Sequence, residues 1–122
     1  MSLDDVFRKK FENDLRITKG RLIALKKFII FLKKFKKNPN KYKKIFIQIN
    51  YFEKHTTCKR IEFNGDEIAK EHSSKIWDTM NLLLFRSNII YCNYTNIATI
   101  FMFRDDSDVY CSKIIEVYFF KN

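Results

Sequence analysis

Positive charge is concentrated in one stretch of this chain. Between Asp14 and Glu53 the sequence holds twelve Lys or Arg residues and no Asp or Glu. A lysine ammonium is a compact point charge that binds phosphate and carboxylate oxygens. A run of one sign is therefore typical either of a surface that binds a negatively charged partner or of a solvated tail.

The charge divides the chain into two unequal parts. Residues 1–44 contain fifteen basic and four acidic side chains, a net charge of +11, whereas residues 45–122 contain nine basic and ten acidic ones, a net charge of −1. Lys, Ile, Phe, Asn and Tyr supply 63 of the 122 residues, which indicates an AT-rich coding genome. Such a genome explains the excess of Lys over Arg, but it does not explain the absence of acidic residues from one stretch.

Periodicity predicts that a helix over residues 21–37 positions most of these lysines. At about 100° per residue, one arc of this helix is apolar and the other is basic. The apolar arc contains Leu22, Ala24, Leu25, Phe28, Ile29, Phe31, Leu32 and Phe35, of which Phe28, Ile29, Leu32 and Phe35 are expected to anchor the helix to the fold. The basic arc contains Lys26, Lys27, Lys33, Lys34 and Lys37, with Ile23 and Ile30 among them, while Lys36 falls on the apolar side.

The segments on either side of this helix extend the pattern. Upstream, Leu3, Phe7, Phe11 and Leu15 recur every four residues and predict another amphipathic helix, which Gly20 either breaks or only weakens. Downstream, Pro39 should end the helix. Lys41, Lys43 and Lys44 then continue the charge, and Tyr42 among them is suited equally to stacking on a nucleic-acid base or to packing against the sheet.

The remaining pattern predicts an α+β fold in a single domain, residues 1–122. A basic helical segment (1–40) precedes a sheet portion (41–122) of about five mainly antiparallel strands with one further helix, in the order α(α)ββαβββ. The strands are expected near residues 45–52, 58–63, 88–94, 97–104 and 109–120, and the helix near 68–85. The last strand ends in three aromatic residues and is a candidate sheet edge. Roadblock-type and longin-like domains resemble this chain in element order alone.

Other kinds of chemistry find little support. With only two Gly, the chain has no phosphate-binding glycine-rich loop. No nucleophile has a recognisable base partner, so we expect no enzyme and no cofactor. His55 and Cys58 have the spacing of half a zinc site that Cys92 and Cys111 could complete, but a cysteine on a strand is more often a small buried apolar residue. Three Cys is an odd number, which favours a reducing, cytoplasmic compartment.

These observations predict a non-catalytic protein that binds RNA or a ribonucleoprotein such as the ribosome. The expected contact residues are Lys26, Lys27, Lys33, Lys34, Lys37, Lys41, Tyr42, Lys43 and Lys44. The leading alternative is an adaptor or inhibitor, viral or parasitic, that docks on an acidic protein. Binding to a membrane surface is a third hypothesis, and it requires that the apolar arc of the basic helix be free. Oligomeric state stays open.

Overall fold

The chain forms a two-layer α+β fold, as the sequence predicted. The computed structural model describes residues 3–51, 59–69, 74–106 and 112–122, with side chains described from Gly20 onward in these ranges except that of Ala69. The helices are α1 (Leu3–Lys37), a 3₁₀ turn (Pro39–Lys41), α2 (Gly65–Ala69) and α3 (Ser74–Arg86). The strands are β1 (Tyr42–Tyr51), β2 (Lys59–Asn64), β3 (Asn88–Tyr94), β4 (Ala98–Asp105) and β5 (Lys113–Lys121).

Helix α1 runs unbroken through Gly20. A Cβ added at Gly20 would meet no atom within 4 Å, so neither packing nor a turn requires glycine there. The glycine therefore weakens the helix, at a cost of about 1 kcal/mol relative to Ala, without ending it. The helix ends just before Pro39: the Asn38 amide donates to the carbonyl oxygens of Lys34 and Phe35 at 3.1 and 3.2 Å. Because proline disfavours helical geometry in the residue before it, this end was predictable.

The five strands form one antiparallel sheet in the order β2-β1-β5-β4-β3. The sequence placed the last strand as a candidate edge, and that prediction was wrong. Strand β5 is the central strand, paired with β1 on one side and β4 on the other. Its aromatic C-terminal end is explained by this position, because a central strand packs against neighbours on both sides. Pairing between distant segments decides which strand is central, and no local pattern reports it.

The region between β2 and β3 differs from the sequence prediction in detail. One helix was predicted there, and the structure has two, α2 and α3, separated by residues 70–73, which lie outside the described part of the chain. Strands β1 and β2 pair antiparallel, with Ile45 opposite Phe63 and Ile47 opposite Ile61.

Aromatic residues hold α1 to the sheet. The ring of Phe28 lies 4.7 Å from that of Phe101 and 5.0 Å from that of Phe103, both in edge-on geometry. Phe31 and Phe35 contact the ring of Phe119, at 4.6 and 5.3 Å. Each such pair contributes roughly 0.5–1.5 kcal/mol beyond the area that it buries. These contacts fix both the position and the rotation of α1 over the sheet.

The two faces of the sheet have different surroundings. Ile45 and Ile47 of β1 and Val117 and Phe119 of β5 are buried on the helix side. Alternate residues of the same strands, such as Phe46, point to the other face, because successive side chains in a strand point in opposite directions. They are only partly buried, and no helix of the described residues packs over them. We call this side the outer face.

We predict that Phe28→Ala destabilises the fold by about 3–5 kcal/mol, since it leaves a cavity among the rings of Phe101 and Phe103. Urea unfolding measures the change. Ile30→Ala, two residues along the same helix, is the control: Phe28 is 0% and Ile30 is 44% exposed. The control should stay within about 1 kcal/mol of the wild type. Equal losses in the two variants would contradict the core described above.

Candidate nucleic-acid interface

Five described lysines of α1 lie on the side of the helix that faces away from the sheet. Because Phe28, Leu32 and Phe35 are buried against the core, the opposite arc is turned to solvent. Lys26, Lys27, Lys33, Lys34 and Lys37 are all exposed, and we call them the lysine ridge. The sequence predicted this set from helical period alone.

The lysine ridge has no carboxylate partner among the described residues. The ion pairs in that part of the chain are Lys44–Glu62 and Arg104–Asp106, and neither involves the ridge. Like charges at i and i+4, such as Lys33 and Lys37, destabilise a helix by a few tenths of a kcal/mol. The favourable interaction of the lysines near the end of α1 with the helix dipole offsets part of this repulsion. The ridge is thus a strip of positive charge in a fixed geometry.

The basic cluster Lys41, Lys43 and Lys44 continues the ridge past the end of the helix. Lys41 and Lys43 are exposed. The register of β1 against β5 shifts between Tyr42 and Lys44, which places Lys43 at the irregularity. Lys44 differs from the other two, since its ammonium lies 3.3 Å from a Glu62 carboxylate oxygen and 5.6 Å from the centre of the Phe46 ring. The cluster therefore connects the helix layer to the outer face.

Tyr42 points away from its basic neighbours and into the core. Its ring lies 5.5 Å from that of Phe31, 5.6 Å from that of Phe35 and 6.0 Å from that of Phe119. Burial raises the pKa of its phenol, while a hydrogen bond with the Thr99 side chain acts in the opposite direction. Of the two roles that the sequence left open, the geometry favours packing, and we leave Tyr42 out of the interface.

Two side chains of α1 have surroundings that differ from those the sequence predicted. Ile29, expected to anchor the helix, is 39% exposed, because it lies at the margin of the buried arc. Lys36, which fell on the apolar side, is accommodated with its ammonium 5.8 Å from the centre of the Trp77 ring. Trp77 is on α3, so no local pattern could have indicated this contact.

Among the described side chains of α1, four aliphatic ones are exposed beside the ridge. They are Leu22, Ile23, Ile29 and Ile30, between 39% and 61% exposed. Ile23 and Ile30 lie one heptad apart among the lysines, as the sequence predicted. Phosphates do not require such residues, whereas a protein groove would use them.

Among the described residues, no helix has both the length and the apolar character needed to cross a membrane.

The structure does not test the half zinc site, which the sequence analysis raised but did not favour. His55, Cys58 and Cys111 lie outside the described residues. Cys92 is a free thiol on β3, partly buried against the core. Within the described ranges, no group of three or more His, Cys, Asp or Glu residues is arranged to hold a metal ion.

Comparison with protein-family models, with curated proteins and with solved structures gave no match to this chain. The geometry of its own residues therefore carries the functional argument.

We predict that Glu116 controls the titration of Tyr118. The Tyr118 hydroxyl donates a hydrogen bond to Glu116, and this bond, with burial, raises the pKa of the phenol to about 12. Glu116→Gln should lower that pKa toward the ordinary value of about 10. Because the folded state holds the proton more tightly, this stabilisation is complete below about pH 10 and is lost as the pH rises toward 12.

Ultraviolet absorbance of tyrosinate follows the titration. Tyr118→Phe is the control, since it removes this phenol and leaves the others. Superimposable curves for the wild type and Glu116→Gln would show that the carboxylate does not act on Tyr118.

Proposed function

We propose that this protein is a non-catalytic RNA-binding protein whose lysine ridge and basic cluster contact phosphates, on free RNA or on a ribonucleoprotein surface such as the ribosome. The observation that carries the proposal is the ridge itself: five exposed lysines on a helix whose other side is locked into the core. Within the described residues none of these five has a carboxylate partner.

Rigidity is what separates this surface from a basic tail. A disordered arm loses conformational entropy when it binds, whereas a packed helix has lost most of it on folding. Only the side chains of the lysines need to be ordered on contact. Affinity then comes mainly from the release of counterions from the RNA backbone.

The choice of lysine favours contacts to phosphate over contacts to bases. The ridge contains no Arg, the residue whose planar fork recognises guanine edges with two hydrogen bonds. Phosphate contacts position a protein on a nucleic acid without reading its sequence. We therefore propose binding with little sequence preference.

Burial of the apolar arc argues against a membrane surface as the partner. Phe28, Leu32 and Phe35 are at most 7% exposed, so the large side chains that would enter a bilayer are already packed against the sheet.

A cytoplasmic location belongs to the same proposal. It is supported by the odd cysteine count and by the free thiol of Cys92.

We predict a strong salt dependence of RNA binding. If about five lysines neutralise phosphates of a single strand, the logarithm of the association constant should fall with the logarithm of salt concentration at a slope of roughly −3.5. Lys33→Glu/Lys37→Glu should weaken binding at least about tenfold and make the slope shallower by about 1.4, since two phosphate contacts are lost. Fluorescence anisotropy with labelled RNA measures both quantities.

The matched control is Lys75→Glu/Arg86→Glu, which makes the same change in net charge at two exposed positions of α3. It should leave most of the affinity in place, and unfolding curves should show that both double variants fold. Equal weakening by the two pairs would mean that net charge alone attracts the RNA. A slope near zero, or no binding at low salt, rules out the proposal.

An acidic protein is the second candidate partner, and the exposed aliphatics favour it. Ile23 and Ile30 are 57% and 44% exposed within the ridge, at a spacing that suits a helix lying in an apolar groove with an acidic rim. Such a partner would use both the lysines and the isoleucines, whereas RNA would use the lysines alone.

We predict that Ile23→Asn/Ile30→Asn leaves RNA affinity within about twofold of the wild type, because neither residue carries charge. Anisotropy with the same RNA checks this. Pull-down from native extract, with and without nuclease, is run in parallel with wild type and variant. A captured protein that survives nuclease and is lost in the variant supports the second candidate. Flotation with anionic vesicles tests the third hypothesis, that the protein binds a membrane surface.

A further inference from the structure

Three aromatic rings form a continuous strip on the outer face. Phe46 of β1 lies opposite Tyr118 of β5, with ring centres 6.0 Å apart. Tyr118 and Phe120 follow on the same strand, with rings nearly parallel at 5.9 Å and an angle of 10°. All three are partly exposed, and the helices of the described residues pack on the other face. We call Phe46, Tyr118 and Phe120 the aromatic strip.

The aromatic strip adjoins the basic cluster. Lys44 lies opposite Phe120 in the sheet, and its ammonium is 5.6 Å from the centre of the Phe46 ring. A backbone hydrogen bond also joins the basic cluster to the end of β5: the Asn122 backbone amide donates to the Lys41 carbonyl oxygen at 3.0 Å. Positive charge is therefore continuous from the lysine ridge, past the 3₁₀ turn, to one end of the strip.

Two described acidic side chains on this face are already engaged. Glu62 lies 3.3 Å from the Lys44 ammonium, and Glu116 accepts a hydrogen bond from the Tyr118 hydroxyl. Arg60, exposed on β2, lies opposite Gln48 next to this row. The end of the strip near Lys43 and Lys44 is thus the end suited to phosphate.

We propose that the aromatic strip stacks the bases of single-stranded RNA whose phosphates lie on Lys43 and Lys44. This inference rests on the proposed function and specifies its substrate as a single strand. Stacking on aromatic side chains is a common way for proteins to hold single strands, because every base has a flat π-face. A duplex keeps its bases stacked on each other and cannot offer those faces.

Charge argues for RNA over a second copy of the chain on this face. Each copy carries a net charge of +10. Face-to-face pairing would bring two basic clusters toward one interface, which repulsion disfavours. RNA brings the opposite charge and supplies flat apolar surface as well.

The test compares single-stranded with duplex RNA. The probes are oligouridine of about twelve nucleotides, within the site size of known single-strand binders, and an RNA duplex of equal length. Phe46→Leu/Tyr118→Leu keeps the strip apolar but removes two π-faces. Single-strand affinity should fall about tenfold, while duplex affinity, which depends on the lysines, should change by less than about twofold. Ile100→Leu, opposite Tyr118 on the same face, is the matched control and should change neither affinity.

Each outcome decides the matter. Unchanged single-strand affinity, or an equal loss for both probes, overturns the stacking role while the lysine proposal stands. If the wild type binds neither probe at low salt, the proposed function fails and this inference falls with it. A dimer in sedimentation that the double variant abolishes, with single-strand affinity intact, assigns the face to a second copy. If the double variant does not fold, Phe46→Leu alone carries the comparison, with a loss of about fivefold expected.

Discussion

The packing of three phenylalanines of α1 against the aromatic residues of β4 and β5 is the contact on which the rest of the molecule depends. Phe28, Phe31 and Phe35 recur along one side of the helix and meet Phe101 and Phe119. Rings packed edge to face resist rotation of the helix, since any turn would separate several contacts together. The position of each lysine of the ridge, on the opposite side of the helix, follows from this contact.

The central position of β5 has a similar consequence for the sheet. Because β5 pairs with both β1 and β4, the last strand of the chain joins its first strand to the rest. The basic cluster at the start of β1 is thereby brought beside the aromatic end of β5. Two segments that are more than seventy residues apart in the sequence form one continuous surface. Charge from the helix layer and aromatic area from the sheet meet along it.

Electrostatics and packing act against each other along α1. A helix with lysines at i and i+4 repels itself, and isolated from the sheet it would be weakened by that repulsion. Burial of the phenylalanines offsets this cost by a wide margin, since one buried aromatic side chain outweighs several repulsive pairs. The fold can therefore hold a strip of positive charge that local interactions would not stabilise. An anionic partner would relieve the repulsion, so binding and helix stability should support each other.

What the sequence could predict was whatever depends on local period. The buried face of α1 and the opposite lysine arc follow from a repeat of about 3.6 residues, and β1 follows from a repeat of two. The end of α1 before Pro39 and the α+β class were predictable on the same basis. The exposure of side chains at the edge of the buried arc was harder to predict. Ile29 lies between the two arcs of α1, and only its distance to the sheet decides its exposure.

By itself, then, the sequence determined the α+β class, the basic side of the helix and its apolar counterpart. It also determined the order of the elements, except that it predicted one helix where α2 and α3 lie. Only the tertiary structure decided that β5 is central, that Tyr42 faces the core, and that Phe46, Tyr118 and Phe120 share a face beside Lys44. The physical reason is distance along the chain. Helical and strand periods are set by neighbouring residues. Strand order and the residues that each side chain contacts are set instead by hydrogen bonds and packing between segments that are remote in the sequence, which no local pattern records.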